Sequence, residues 1–244
     1  MTPDIIEFIK SPQYLGPDDQ ISPAQVSVLK AIYGLEMNAE EREAFLSMTE
    51  GRKPRAGGYS DVWIIAGRRS GKTDKILANV AAYEIFTFSA ELLAAGERAY
   101  FPIVAQNLDG ADRARGYIEG KLLKLEERGW DILDHGSAQS RAITGKEIRA
   151  TTGVIAKCFP ATKASVRGLT AIGYGTDESA FWQTEEHGYN VDMEVFRALR
   201  PTTSTIGRRA KRINVTSPYA EEGAAWDAYQ KRGTSRSQIG RAHV

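Results

Sequence analysis

A glycine-rich loop directly follows a short apolar run at residues 62–66. It matches the phosphate-binding pattern G-x-x-x-x-G-K-[ST], except that Ala66 stands at the first glycine. In such loops the backbone amides surround phosphates, the lysine sets a positive charge at the β- and γ-phosphates, and the last hydroxyl suits Mg²⁺. We therefore predict a site for ATP, with Lys72 at the phosphates and Thr73 at Mg²⁺. The residues of the loop are Gly67, Arg68, Arg69, Ser70, Gly71, Lys72 and Thr73.

Two carboxylates stand side by side at the end of a second apolar run. Residues 169–176 predict a buried strand, and Asp177 and Glu178 follow at its end. In P-loop ATPases the first acid holds Mg²⁺ and the second orients the water that attacks the γ-phosphate. Adjacent acids also begin ordinary loops, so this pair gains its meaning from the loop at Lys72. Together the two segments favour a hydrolase over an enzyme that passes phosphate to a bound acceptor.

The rest of the chain must bring these two segments together. From residue 59 onward, short apolar runs alternate with helical patterns. This alternation predicts an α/β fold, a P-loop NTPase (ASCE/RecA-like) with a mostly parallel central sheet flanked by helices. Ligands bind such sheets at the carboxyl ends of the strands, where both segments fall. We predict strands at residues 62–66, 99–105, 169–176 and 212–216, a hairpin at 148–151 and 154–159, and helices at 71–88, 108–128, 192–199 and 221–232.

Helical signals dominate the first 58 residues. Ser22 with Pro23 begins one helix that ends at Gly34, and Asn38 with Glu41 forms a capping box for the next. The chain thus divides into a helical N-terminal segment at 1–58 that packs on the core, an ATPase core at 59–232 and a tail at 233–244. We predict that the tail is disordered. Its last six residues resemble a translated sequencing adapter, so we interpret it as an artefact of truncation.

Composition and net charge limit which other kinds of site and partner the chain could have. The 244 residues include one cysteine, Cys158, so no disulfide can form within the chain, which fits a reducing compartment. The three histidines are isolated, and no apolar run is long enough to cross a membrane. A formal net charge of +1 neither requires nor excludes nucleic acid. We interpret the basic cluster as a solvated loop in preference to a DNA contact; it contains Arg208, Arg209, Lys211 and Arg212.

Five short motifs occur in order along most of the chain. They are the loop at 67–73, SVRGLT at 165–170, DESAFW at 177–182, ALRP at 198–201 and NVTSPY at 214–219. In this order they resemble the ATPase domain of the large terminase subunit of tailed bacteriophages, the motor that packages DNA. The resemblance implies an ATPase that uses ATP and Mg²⁺ and translocates double-stranded DNA into the procapsid.

The resemblance assigns further roles by position. Gln25 matches a glutamine that reads adenine, and a polar position on a helix explains it nearly as well. Arg68 matches a loop arginine that touches the γ-phosphate in the same subunit, and Arg167 matches a finger that enters a neighbouring subunit's site. A surface ion pair is the alternative for either arginine. Thr216 and Ser217 match the coupling motif that senses the γ-phosphate, although such hydroxyls also cap turns.

The resemblance also implies partners and a location. A homo-oligomeric ring, the small terminase subunit and the portal are expected, acting on double-stranded DNA in the host cytoplasm and without a membrane. The nuclease domain of a full-length terminase would begin after the region ending near Arg232. We therefore expect no nuclease activity from this chain.

Three other functions fit parts of the sequence. A helicase-like DNA-dependent ATPase would carry helicase motifs in a second RecA-like domain, and the sequence has none. A P-loop kinase would need an acceptor pocket, and both the acid pair and Thr216-Ser217 oppose it. The third is a folded but inactive fragment that binds nucleotide weakly.

Overall fold

Strands and helices alternate along most of the chain in the computed structural model. The structure describes residues 2–136, 142–162, 164–182 and 191–232, and the backbone of 237–242. The helices are α1 (Ile5–Lys10), α2 (Pro23–Tyr33), α3 (Ala39–Met48), α4 (Asn79–Thr87), α5 (Leu108–Glu127), α6 (Asp192–Leu199) and α7 (Gly223–Gln230). The strands are β1 (Asp61–Ala66), β2 (Ala99–Ala105), β3 (Glu147–Arg149), β4 (Val154–Pro160), β5 (Thr170–Ala171), β6 (Gly173–Asp177), β7 (Lys211–Thr216) and β8 (Ser237–Ala242).

The strands form one sheet in the order β3-β4-β2-β6-β7-β1-β8, with β5 paired to the start of β2. All neighbours run parallel except β3 and β4. Strand β7 lies between β1 and β6, with Thr216 opposite Ile65 and Val215 opposite Asp177. The glycine-rich loop and the acid pair therefore leave the same edge of the sheet. The predicted fold class is confirmed.

Apolar side chains cover both faces of the sheet. Along β1, Trp63 packs on one face with Phe196 of α6, and their ring centroids are 5.0 Å apart. The next residue, Ile64, belongs to the core on the other face, together with Phe101 of β2. Successive side chains of a strand point to opposite faces, so β1 is buried on both sides. Burial on both faces explains why the strands read as apolar runs.

The N-terminal helices pack against α4 through aromatic side chains. Phe8 of α1 lies 5.4 Å from Tyr83 of α4, measured between ring centroids. Tyr33 of α2 donates its hydroxyl to Glu84 Oε1 at 2.6 Å, and burial raises the pKa of Glu84 to about 7. Within the described ranges, no helix is long and apolar enough to cross a membrane.

The starts of α2 and α3 follow their capping signals. Ser22 Oγ accepts from Gln25 N at 3.3 Å, and Gln25 Oε1 accepts from Ser22 N at 2.9 Å. Asn38 and Glu41 make the same reciprocal pair at α3. Gly34 ends α2 with a left-handed backbone, φ 71°. Both predicted helices and their first residues are confirmed.

The helix after the glycine-rich loop differs from the prediction. Lys72–Ala78 is a π-helix, and α4 begins only at Asn79. At the junction, Asn79 Nδ2 donates to Lys75 O at 2.9 Å, which satisfies a carbonyl where the hydrogen-bond register changes. Periodicity predicted one regular helix over 71–88 because the π-helix, seven residues long, is too short to change the apolar pattern of the whole stretch. π-Turns inside helices are rare and frequently lie at functional sites.

Two strand segments also differ. The run at 169–176 is divided at Ile172 into β5 and β6, and Ile172 N donates to Tyr100 O at 2.9 Å. Residues 237–242, which we predicted as part of a disordered tail, form β8 parallel to β1, with Ser237 opposite Asp61. Without β8, the edge of β1 would present unpaired backbone donors and acceptors, which can bind any extended segment. The composition of the tail does not reveal this pairing.

Candidate active site

The glycine-rich loop turns the chain from β1 into the π-helix. Ala66 at the end of β1 is buried, and the next three residues are exposed. Arg69 (φ 64°) and Gly71 (φ 76°) have left-handed backbones. A Cβ on Gly71 would lie 2.7 Å from Gln25 Nε2. Position 71 therefore favours glycine for its left-handed backbone, and a larger residue there would displace the Gln25 amide.

Lys72 lies at the centre of the site. Its Nζ is 3.0 Å from Glu178 Oε1, and it donates to Ser217 Oγ at 3.1 Å and to Gly67 O at 3.4 Å. The residue is only 6% exposed. A buried ammonium needs such partners. Glu178, the second acid of the pair, and Ser217, a predicted coupling residue, thus both contact Lys72 Nζ.

Thr73 and Asp177 form a second contact across the same edge. Thr73 Oγ1 donates to Asp177 Oδ1 at 3.1 Å. Burial, followed by the charge of Glu178, raises the pKa of Asp177 to about 6, although Thr73 and Lys72 oppose the shift. Hydroxyl and carboxylate oxygens are ligands that Mg²⁺ prefers, and Mg²⁺ is commonly held by one or two carboxylates together with substrate phosphates. The donor set therefore fits Mg²⁺ bound jointly with a nucleotide.

Glu178 is held by the end of β7. Its backbone is left-handed, φ 50° and ψ 41°, and its N donates to Val215 O at 2.9 Å. Its carboxylate accepts from Ser217 N at 2.7 Å and from Ser217 Oγ at 3.0 Å. A third of the Glu178 side chain, 34%, stays exposed. The carboxylate is thus positioned by two hydrogen bonds and still reachable by water.

The buried hydroxyl of Thr216 makes hydrogen bonds at the same end of β7. Its Oγ1 accepts from Ala180 N at 3.2 Å and donates to Ser217 O at 3.1 Å. Thr216 is fully buried and Ser217 is 5% exposed. Both predicted coupling residues therefore contact the acid-pair segment, and of the two it is Ser217 that reaches Lys72 and Glu178.

Gln25 lies against the glycine-rich loop. Its Nε2 donates to Ser70 O at 3.0 Å, while its Oε1 belongs to the capping box of α2. Below the loop, Asp19 forms ion pairs with Lys75 of the π-helix and Lys121 of α5. The N-terminal segment thus contacts the loop through Gln25 and the π-helix and α5 through Asp19. No motif in the sequence pointed to Asp19 or Lys121.

The two predicted arginines are both exposed. Arg68 lies on the glycine-rich loop, four residues before Lys72. Arg167 lies between Ser165, whose Oγ donates to Pro160 O at the carboxyl end of β4, and β5, whose Thr170 pairs with Ala99 at the amino end of β2. Arg68 therefore belongs to the loop of the candidate site, and Arg167 to the segment that crosses the sheet before β5.

Trp182 and Arg113 also reach the acid pair, and neither has a role in our sequence-based prediction. Trp182 Nε1 donates to Asp177 O at 3.1 Å, and the charge of Arg113 on α5 lowers the pKa of Asp177 in opposition to burial. Trp182 belongs to the motif that starts at Asp177, which is a signal that could have found it. Arg113 has no motif around it.

The fold and the order of the site segments define a P-loop NTPase fold. A mostly parallel sheet carries the glycine-rich loop after β1, the acid pair at the end of β6 and a polar strand end between them. Among the described residues, no three His, Cys, Asp or Glu side chains cluster as a metal site of their own.

Solved phage large terminases have the same fold. The large terminase of bacteriophage HK97 is 16% identical over 98% of this chain and 44% of that chain, with a TM-score of 0.58. A large terminase from a thermophilic bacteriophage, solved in complex with ADP, is 13% identical over 91% and 45%, with a TM-score of 0.57. The large terminase ATPase domain of Thermus phage P74-26 is 14% identical over 91% and 86%, with a TM-score of 0.53.

The fold of this chain is therefore that of the large terminase ATPase domains. The chain spans less than half the length of the HK97 protein and of the ADP-bound terminase that it matches. No protein-family model and no curated protein matches it.

Proposed function

We propose that this chain is the ATP-hydrolysing motor domain of a phage large terminase, which translocates double-stranded DNA into the procapsid. One observation carries the proposal: Lys72 Nζ lies within 3.1 Å of both Glu178 Oε1 and Ser217 Oγ. The phosphate-binding lysine, the base and the coupling serine form one unit, although they come from three separate segments. The five motifs, in the order typical of large terminases, support the same conclusion.

In this proposal each group has a part in hydrolysis. Lys72 and the loop amides bind the β- and γ-phosphates, and Gly67, Ser70 and Gly71 let the backbone approach them. Thr73 and Asp177 would hold Mg²⁺, which neutralises phosphate charge when bound. Glu178 accepts a proton from the attacking water as the new oxygen–phosphorus bond forms, and ADP leaves.

The two arginines act on different sites in this proposal. Arg68 reaches the γ-phosphate from its own loop, with Arg69 beside it. Arg167, exposed on the segment before β5, acts on the site of a neighbouring copy, which requires the homo-oligomeric ring. The small terminase subunit and the portal complete the packaging machine in the host cytoplasm. Gln25 reads the adenine edge after leaving one of its present contacts, and Thr216 and Ser217 relay loss of the γ-phosphate.

The test measures ATP affinity and the rate of ATP hydrolysis, with and without duplex DNA, in the parent chain and in Lys72→Ala. We expect duplex DNA to stimulate hydrolysis by the parent chain. We expect Lys72→Ala to lose ATP binding, because it removes the buried cation that would bind the phosphates and that contacts both Glu178 and Ser217. Unchanged ATP affinity in Lys72→Ala would remove the P-loop assignment. Turnover that depends on a small-molecule acceptor would instead identify a P-loop kinase, and strand separation by the chain would identify a helicase-like ATPase.

A further inference from the structure

A wide groove lies at the edge of the sheet opposite the candidate active site. It encloses about 1140 Å³ and is bounded by the first residues of β1 and β7, with the loop before β1, helices α6 and α7 and the turns after α6 on its sides. Asp61 lines its floor, where Asn214 Nδ2 donates to Asp61 Oδ1 at 3.1 Å. The nucleotide site does not extend to this edge, so the groove belongs to a different surface.

Positive charge is concentrated in this groove. Five arginines and two lysines line it against two aspartates, in a chain whose formal net charge is only +1. The other residues together therefore carry a net negative charge, whereas the groove carries a net positive charge. Arginine binds phosphate with a planar fork of donors and is weakly hydrated, which suits a phosphodiester backbone. Four of the arginines are exposed: Arg55, Arg197, Arg200 and Arg208.

The burial of the aromatic side chains in the groove indicates which form of nucleic acid it fits. Tyr59, Trp63 and Phe196 line it but are 7%, 1% and 3% exposed. Proteins that bind single strands stack bases on accessible aromatic rings, and these rings are committed to the core. The groove thus offers charge without stacking, which fits the phosphates of a duplex whose bases remain paired.

Strand β7 joins the groove to the candidate active site. Lys211 and Arg212 line the groove at its start, and Ser217 follows its end beside Glu178. Six residues at about 3.3 Å each span roughly 20 Å. In the middle, Asn214 binds Asp61 of the groove and accepts from Thr176 Oγ1, the residue before Asp177, at 3.0 Å. A single strand and one buried hydrogen-bonded chain therefore connect the two edges.

We propose that this groove binds the phosphate backbone of double-stranded DNA and that β7 links the bound duplex to Glu178. The proposal rests on the motor function proposed above, because it assigns the surface on which that motor holds its DNA. It also revises our sequence-based interpretation of the basic cluster, since Arg208, Lys211 and Arg212 line the groove and Arg209 does not.

Neighbouring arginines provide a matched pair of variants. Arg208 and Arg209 are both exposed and share one short 3-10 turn, and of the two it is Arg208 that lines the groove. We would measure binding of a fluorescein-labelled duplex of about three helical turns by anisotropy, at several salt concentrations. We expect Arg208→Glu to weaken binding about tenfold at roughly 0.15 M salt and to reduce the salt slope by about 0.9 per lost phosphate contact. Arg209→Glu should stay within about threefold.

A second groove variant and competing ligands complete the test. Arg197→Glu, on the α6 side of the groove, should weaken duplex binding as Arg208→Glu does, and both variants should keep the melting temperature and the DNA-independent ATP turnover of the parent chain. Equal loss in Arg208→Glu and Arg209→Glu, or no loss in either groove variant, would overturn the groove. So would tighter binding of a single strand or of an acidic polyglutamate peptide than of the duplex. A parent chain that binds the duplex without hydrolysing ATP would refute the motor and leave the groove standing.

Discussion

Asp177→Asn should stabilise the protein and abolish its metal-dependent chemistry at the same time. Asp177 is 8% exposed, and burial raises the pKa of its carboxyl to about 6 from an ordinary value of 3.8. The folded state therefore resists the charge that Mg²⁺ needs. Asparagine has nearly the same shape, carries no charge and can still accept from Thr73 Oγ1.

The magnitude follows from the two pKa values. Their difference, about two, corresponds to about 3 kcal/mol, because one pKa unit is 1.36 kcal/mol. At about pH 8 the wild-type carboxyl is ionised in both states, and the folded state bears that penalty in full. As the pH falls through 6 towards 3.8, the folded protein takes up its proton first and wild type gains stability. The advantage of Asp177→Asn should thus be largest at high pH and disappear near pH 4.

Thermal unfolding with a chelator present measures this advantage without metal binding. For a domain of this size, about 3 kcal/mol corresponds to a rise in Tm of about 6–12 °C at pH 8. Asp18→Asn is the control, because Asp18 is an exposed loop residue and surface changes stay within about 0.5 kcal/mol. A lower Tm for Asp177→Asn at pH 8, or a gain of the same size near pH 4, would refute the reasoning.

Two further outcomes are expected at the site. Glu178→Gln should bind ATP but turn it over at least about 100-fold more slowly, because the amide cannot accept the proton of the attacking water; an unchanged rate of hydrolysis in a single-turnover assay would assign the base to another residue. Arg167→Ala should lose turnover in homogeneous rings and regain it when mixed with Glu178→Gln subunits, since those subunits still supply an intact Arg167 to their neighbours. Absence of rescue in the mixed rings would argue against an arginine acting between subunits.

Much of this fold could be predicted because its signals are local. Ser22 with Pro23 and Asn38 with Glu41 specify helix starts through bonds within one turn. Strands buried on both faces read as apolar runs whatever their neighbours are. The glycine-rich loop carries its own chemistry, since Gly71 must adopt a left-handed backbone before Lys72 can enter a helix.

The features that the sequence did not predict depend on contacts between segments far apart in the chain. Nothing near β7 in the chain places it between β1 and β6, yet that position brings Ser217 to Lys72, 145 residues away. Asp19 likewise meets Lys75 and Lys121 only after the N-terminal segment has folded onto the core. The groove is assembled from three separate stretches, at residues 55–63, 193–212 and 224–231, so its charge is not evident from a sequence that is nearly neutral overall. Such features follow from topology, which periodicity and composition do not encode.

The contacts of Lys72 constrain how nucleotide binding could reach β7. An ammonium can donate three hydrogen bonds, and among the described residues Lys72 Nζ has three oxygen neighbours, on Gly67, Ser217 and Glu178. A phosphate oxygen that accepts a hydrogen bond from Lys72 must therefore displace at least one of them. Displacement of Gly67 O, the longest at 3.4 Å, would leave β7 untouched. Displacement of Ser217 would break the direct contact of Lys72 with the residue after β7. Displacement of Glu178 would leave its carboxylate held by Ser217 alone, so that the end of β7 would then determine the position of the base.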